Sequence, residues 1–178
     1  SSTWSAYTTS ALASAIGMRD WKAEGWFNGK TGEITRGVRV GPEHTVIDVG
    51  CGWGISGIWC AKTLGAQVTS VDADPDVFPF LEASATLNGV TTTPLVSSFE
   101  KLSTRQLSQF DMLIAADICF WDELVDPVFN MVNRAVKAGV KHIIIADPER
   151  STFFDMARRC EDRHCAEIIE WQTDSPIK

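Results

Sequence analysis

The chain has 178 residues, 44% of them hydrophobic, which suits one domain able to bury most of its apolar surface without disulfide staples. Its formal net charge of −7, with no Lys/Arg run, gives a field that repels phosphates, so a nucleic acid partner is not expected. No apolar run approaches the roughly eighteen residues that cross a bilayer, and no charged-then-apolar leader opens the chain, so a cytoplasmic protein with no membrane contact is expected.

Residues 1–40 crowd Trp4, Tyr7, Trp21, Trp26 and Phe27 around Asn28-Gly29-Lys30-Thr31-Gly32 and read as an appendage or lid, with a helix near Ser10–Ile16 and a turn near 27–34. Residues 41–178 form the domain proper, where strand-like and helix-like segments alternate from residue 44 onward. That alternation predicts an α/β fold: one doubly wound sheet, mostly parallel, with helices on both faces. The first strand is expected at Thr45–Val49, then a helix over Trp53–Leu64 with Ile55, Ile58, Trp59 and Leu64 inward, ended by Gly65. After a second strand, Val68–Val71, Asp74 caps a helix whose first turn takes Pro75. Its inward face is read as Val77, Phe80, Leu81, Ser84 and Leu87, and Asn88-Gly89 stops it. Strands follow at Thr92–Val96, Met112–Ala116 and His142–Ala146, the last two separated by a helix marked by Leu124, Val125, Val128, Val132 and Val136. Ser151 is expected to cap a helix running to about Asp162, and Ala166–Trp171 reads as a sixth strand.

The run Val46-Ile47-Asp48-Val49-Gly50-Cys51-Gly52-Trp53-Gly54 carries the chemistry. Glycines after a strand let a ligand approach main-chain N–H groups, because no Cβ intervenes. Asp72, ending the second strand, stands about twenty residues beyond the turn, where a carboxylate reaches ribose hydroxyls. A literal G-x-G-x-x-G at Gly52, Gly54 and Gly57 suits a dinucleotide and a nicotinamide-dependent oxidoreductase. Asp48 argues against it: an acid at the strand end faces a pyrophosphate badly but suits an amino group and a sulfonium, as S-adenosyl-L-methionine carries. The short chain also leaves little room for the substrate domain of a dehydrogenase.

On these residues the segment resembles motif I of the class I, seven-strand, Rossmann-like S-adenosylmethionine-dependent methyltransferases, and the order of elements is similar from 44 to 171. The resemblance implies that Gly50, Cys51, Gly52 and Gly54 with Asp48 hold the methionine end of the cofactor. It also implies that Asp72 with neighbouring Ala73 takes the ribose, and that Ser98 and Phe99 flank the adenine. Phe110–Trp121, Ala116 included, is similar to the segment lining the transfer channel. Asp117-Ile118-Cys119-Phe120 resembles the acidic-x-x-aromatic motif of the seven-strand protein lysine methyltransferases, and Trp4 with Ser10–Ala13 is similar to their cofactor-covering N-terminus. Asp147-Pro148-Glu149-Arg150 resembles their Asp-Pro-x-Arg stretch and either borders the acceptor or is a plain turn. The family's sheet ends in an antiparallel hairpin of strands six and seven, and this chain stops at Lys178 soon after the sixth.

Methyl transfer is an in-line displacement needing a neutral nucleophile close to the methyl and little water. A lysine, with an unperturbed pKa of about 10.4, must lose its proton on entering. Phe120 and Trp121 are read as desolvating it and Asp117 as orienting the amine, giving S-adenosyl-L-homocysteine as the other product. Asp117 also reads as a strand-end hydrogen-bonding residue, and Asp74 chiefly as a cap. The expected acceptor is a protein lysine, with small-molecule N- or O-methylation and a non-catalytic cofactor-binding protein as alternatives. The five cysteines are read as buried, reduced thiols, Cys51 filling space within the turn, and no metal is expected.

Overall fold

The computed structural model describes residues 40–169; residues 1–39 of the appendage, Trp4 and the helix and turn expected there lie outside that range. Five parallel strands make one sheet: β1 (Thr45–Val49), β2 (Gln67–Asp72), β3 (Thr93–Val96), β4 (Met112–Ala116) and β5 (His142–Ala146). Their spatial order is β3-β2-β1-β4-β5. The order reverses between β1 and β4, and in such sheets ligands sit in the crevice at the C-terminal ends of the strands flanking that reversal. In-register pairing of Val46 with both Val68 and Met112 sets the exits of β1, β2 and β4 side by side.

Side-chain alternation decides which helices cover which face. Ile47, Val49, Val71, Leu113 and Ala115 face one way and pack with α3 (Thr104–Leu107), α4 (Asp122–Ala138) and α5 (Ser151–His164). Val46, Val68, Met112 and Ile114 face the other way, toward Cys60 and Trp59 of the first crossover. That crossover is α1 (Ile55–Trp59), continued by a wider turn over Cys60–Leu64 and closed by Gly65 in the left-handed conformation, φ 71°. Next, α2 (Phe78–Asn88), reached through a tight turn at Pro75–Val77, packs on α1 through Leu81, Ala85 and Ile58. In α4, Val128, Met131, Val132 and Ala135 form the buried stripe at helical spacing. Among the described residues no helix is long and apolar enough to cross a membrane.

Four expectations need correction. Ala166–Ile169 is not a strand, while Glu170 and Trp171 lie outside the described residues. The chain leaves α5 through Cys165 at φ 54°, and Ala166 spends its N–H on the Cys160 carbonyl. Ile168 and Ile169 then line a groove of about 300 Å³ with Ile143 and Ile145. Phe80 and Leu87 are exposed, Leu87 at 89%, because α2 packs inward through a stripe as narrow as Leu81 and Ala85. Ile55, expected inward, is also exposed, since it opens α1 beside the glycine turn. Ser151 is the first residue of α5 rather than its cap; Arg150 holds the cap position without a side-chain bond to the helix, its guanidinium being engaged elsewhere.

The short helix α3 was not expected, although Ser103-Thr104-Arg105-Gln106 signals it. Ser103 accepts from Gln106 N–H while Gln106 Oε1 accepts from Ser103 N–H, a reciprocal capping box. Of the cysteines, all free, Cys60, Cys119 and Cys160 are buried as expected, Cys51 is half-buried, and Cys165 is exposed.

Candidate functional site

Gly50, Gly52 and Gly54 all adopt positive φ, at 70°, 50° and 80°. The turn they make is tied to β2, whose Val71 carbonyl accepts from both Gly50 N–H at 2.8 Å and Cys51 N–H at 2.9 Å. Two of the three need their missing Cβ for packing: one built on Gly50 would lie 2.5 Å from Ile118 Cγ2, and one on Gly54 1.9 Å from Leu81 Cδ1. At Gly52 nothing lies within 4 Å of such an atom, so the middle of the turn opens outward. That open backbone, with an acid beside it, fits a ligand carrying cationic and hydroxyl groups.

Asp72 is that acid. Its Oδ2 accepts from Gly52 N–H at 2.9 Å, and its Oδ1 from Asp74 N–H at 3.0 Å, bracketing Ala73. Asp74 caps the following turn by accepting from Asp76 N–H at 2.9 Å. The β3 exit joins the same rim through Ser97 N–H, which donates to the Asp72 carbonyl at 2.9 Å. Beyond it Phe99 packs against the core, its ring 3.9 Å from where a Gly50 Cβ would stand, with Ser98 preceding it. Arg134 of α4 donates to the Phe99 and Leu102 carbonyls and so fixes this loop from behind.

Asp48 lies beneath the turn, 2% exposed, its Oδ2 accepting from Gly57 N–H of α1 at 2.9 Å. Burial raises its pKa to about 7, the Gly57 N–H works against that rise, and the Asp72 charge adds to it. An acid raised in the folded state keeps a proton that the unfolded chain releases. Its contribution to stability is therefore full below about pH 4 and lost as pH rises through 7. Urea midpoints are expected to fall between pH 5 and pH 8, and Asp48→Asn to flatten that fall; equal pH dependence in both proteins would refute the linkage. Burial, with the Asp48 and Asp72 charges, pushes the Cys51 thiol far up, which suits a space-filler and not a nucleophile.

The exit of β4 supplies the opposite wall. Ala116 pairs with Ala146, and Asp117 follows in the left-handed region at φ 59°, its N–H on the Ala146 carbonyl at 2.9 Å. Ile118 and Cys119 point into the core, Ile118 against Gly50. Phe120 and Trp121 stand in solvent, Trp121 at 64% exposure, meeting edge to face at 5.7 Å. The acidic-x-x-aromatic spacing thus buries its two middle residues and presents the outer two.

Two arrangements were not foreseen. Arg150 pairs with Asp117 and, at 3.0 Å, with Asp147, joining two stretches read separately in the sequence. Trp53 of the glycine turn stacks on exposed Phe80 at 5.2 Å and 17°, a pairing signalled only by two aromatics near the same strand edge. His164, beside Cys160 and Cys165 in the sequence, sits 2.6 Å from Asn133 Oδ1. Among the described residues no three His, Cys, Asp or Glu gather as metal ligands would.

Comparison with known proteins adds three findings. Residues 46–139 match a family model described as a methyltransferase domain. Curated relatives include electron transfer flavoprotein beta subunit lysine methyltransferases of Xenopus laevis, 26% identical over 68% of this chain, and Rattus norvegicus, 26% over 61%. The chain spans under half the length of these relatives, 46% and 42%. Solved structures with similar folds include TrmN from Thermus thermophilus, TM-score 0.55 and 17% identity over 70% of this chain and 39% of that one. Another is the Pyrococcus abyssi tRNA (uracil-54, C5)-methyltransferase in complex with S-adenosyl-L-homocysteine, TM-score 0.51 and 18% identity over 72% of this chain and 30% of that one.

Proposed function

Since this chain belongs to the methyltransferase-domain family, the class I S-adenosylmethionine-dependent methyltransferases, we propose that it methylates the side-chain amine of a lysine in another protein. S-adenosyl-L-methionine supplies, when bound, an electrophilic methyl group on a sulfonium. In this reading the main chain of Gly50, Cys51, Gly52 and Gly54, with Asp48 beneath, receives the methionine end. Asp72 and Ala73 take the ribose, Ser98 and Phe99 border the adenine, and Ala116 closes the channel floor. Asp117 accepts a hydrogen bond from the acceptor amine, while Phe120 and Trp121 strip water from it and favour the neutral form.

The observation carrying this reading is the contact of Ile118 with Gly50, which sets Asp117, Phe120 and Trp121 beside the glycine turn. The lysine methyltransferases among the relatives support it, as does the net charge of −7, which attracts a cationic acceptor and repels phosphate.

The test is incubation with isotopically labelled S-adenosyl-L-methionine and electron transfer flavoprotein beta subunit, alongside a whole-cell lysate, with products resolved by mass. Label on a lysine is the expected result; label confined to small molecules, or bound cofactor without turnover, would overturn it. Asp117→Ala should keep S-adenosyl-L-homocysteine affinity within about twofold and slow transfer about a hundredfold, the scale of losing an orienting contact. Trp121→Ala should slow transfer about tenfold through lost desolvation and cation–π attraction. Normal turnover by both variants would place the acceptor elsewhere.

A further inference from the structure

The turn after β5 is built around one buried acid. The Asp147 side chain has 0% exposure. Its two oxygens both serve Arg150, Oδ1 accepting from the backbone N–H at 2.9 Å and Oδ2 from Nη1 at 3.0 Å. The same Nη1 donates to Asp117 Oδ1. Asp117 and Glu149 both hold positive φ without being glycine, at 59° and 65°. Such backbone persists where surrounding contacts over-determine it, and it gathers at functional sites. Burial works against the guanidinium charge, but the Asp117 hydrogen bond and the Asp147 charge outweigh it and hold Arg150 above its usual pKa. The cation is therefore permanent.

A bare carboxylate beside an acceptor nitrogen would create a difficulty. It stabilises the ammonium, which has no lone pair to attack with. Removing the carboxylate would remove the group that orients the amine. The geometry eases the conflict: Arg150 pairs with both Asp117 Oδ1 and Asp147, taking the cluster from two formal negative charges to one, while Asp117 Oδ2 has no partner among the described residues. Other charges near Asp117 are Asp147 and Arg150 after β5, Asp155 of α5, which acts on Cys119, and Asp122 and Glu123 in the first turn of α4.

We propose that Arg150, fixed by Asp147, is a positioning residue that offsets the charge of Asp117, so that the acceptor nitrogen enters as a neutral amine and still finds a hydrogen-bond acceptor there. The proposal rests on the lysine methylation reading. The entering ammonium gives its proton to water; its lone pair then forms the N–C bond as the C–S bond breaks, and that electron pair stays on sulfur.

The experiment is the pH profile of kcat from pH 6 to 10 on the protein that the wild-type enzyme labels, electron transfer flavoprotein beta subunit being tried first. Arg150→Gln should move the rising limb up by about one pH unit, making transfer about tenfold slower at pH 7 and near wild type at pH 10. Its S-adenosyl-L-homocysteine affinity should stay within about twofold, and Arg150→Lys should recover most of the shift. If Arg150→Gln does not fold, as judged by circular dichroism, Asp147→Asn, which removes a competing negative charge and leaves the guanidinium to Asp117 alone, should move the rising limb the other way, to lower pH. A rate lowered equally at every pH, or an unmoved limb in the folded variant, overturns the role of Arg150 while lysine methylation stands. A wild-type enzyme that labels no protein overturns the lysine reading itself, and this role with it.

Discussion

Asp72→Ala is expected to lower affinity for S-adenosyl-L-homocysteine by about two orders of magnitude in calorimetry, with the far-ultraviolet dichroism of the sheet unchanged. The carboxylate accepts the Gly52 N–H at 2.9 Å and the Asp74 N–H at 3.0 Å, so it holds the glycine turn and the start of the next crossover in one register. Hydrogen bonds to a charged group contribute about 1.5–3 kcal/mol each. Each carboxylate oxygen has two lone-pair sites, so one on either oxygen remains for a ribose hydroxyl. Losing the ribose contacts and the order of the turn together is worth about 3 kcal/mol, which is roughly a hundredfold. Asp72→Asn, which keeps one acceptor oxygen, should fall between. Unchanged affinity in Asp72→Ala would remove the ribose site from this rim.

Gly54→Ala is expected to cost more in stability than any other single methyl in the turn, with Tm lower by about 10 °C. Gly54 holds φ 80°, a conformation that costs an L-residue about 1–2 kcal/mol. The added Cβ would stand 1.9 Å from Leu81 Cδ1, and Leu81 is 2% exposed and clustered with Ile58 and Ala85. Overpacking of that kind costs about 1–3 kcal/mol. The sum, about 2–5 kcal/mol, corresponds to roughly 4–20 °C for a chain of this size. Gly52→Ala separates the two roles of the turn, since its Cβ meets nothing within 4 Å at φ 50°. It should lose cofactor affinity with a much smaller drop in Tm. Equal Tm losses in the two variants would show that the packing against Leu81 is not what Gly54 protects.

Much of the frame was legible beforehand because parallel strands buried on both faces read as unbroken apolar runs. The limits of β1, β4 and β5 coincide with the expected Thr45–Val49, Met112–Ala116 and His142–Ala146. Gly65 and Gly89 end their helices in the left-handed conformation that glycine accepts most easily. The expected sixth strand at Ala166–Trp171 failed over its described part because β-type composition does not say whether a partner edge receives a segment. Ala166 is instead drawn into the end of α5 by the Cys160 carbonyl. Phe80 and Leu87 keep helical spacing with Leu81, yet only the neighbouring surface decides how wide a stripe is buried, and here it covers Leu81 and Ala85.

At the site, residue types and spacing marked the glycine turn and the acid ending β2, while the acid and two aromatics leaving β4 were marked by the family resemblance. These features follow from backbone conformations and chemical groups that lie within a few residues of one another. Only the folded chain decided that Asp48 is sealed under the turn against Gly57, that Trp53 stacks on Phe80, and that Arg150 spans Asp147 and Asp117. The reason is the parallel pairing of β4 with β5, which brings Ala116 beside Ala146 and so joins two exits about thirty positions apart. Periodicity along one segment records which side chains avoid water, and holds no information about which distant strand will lie alongside.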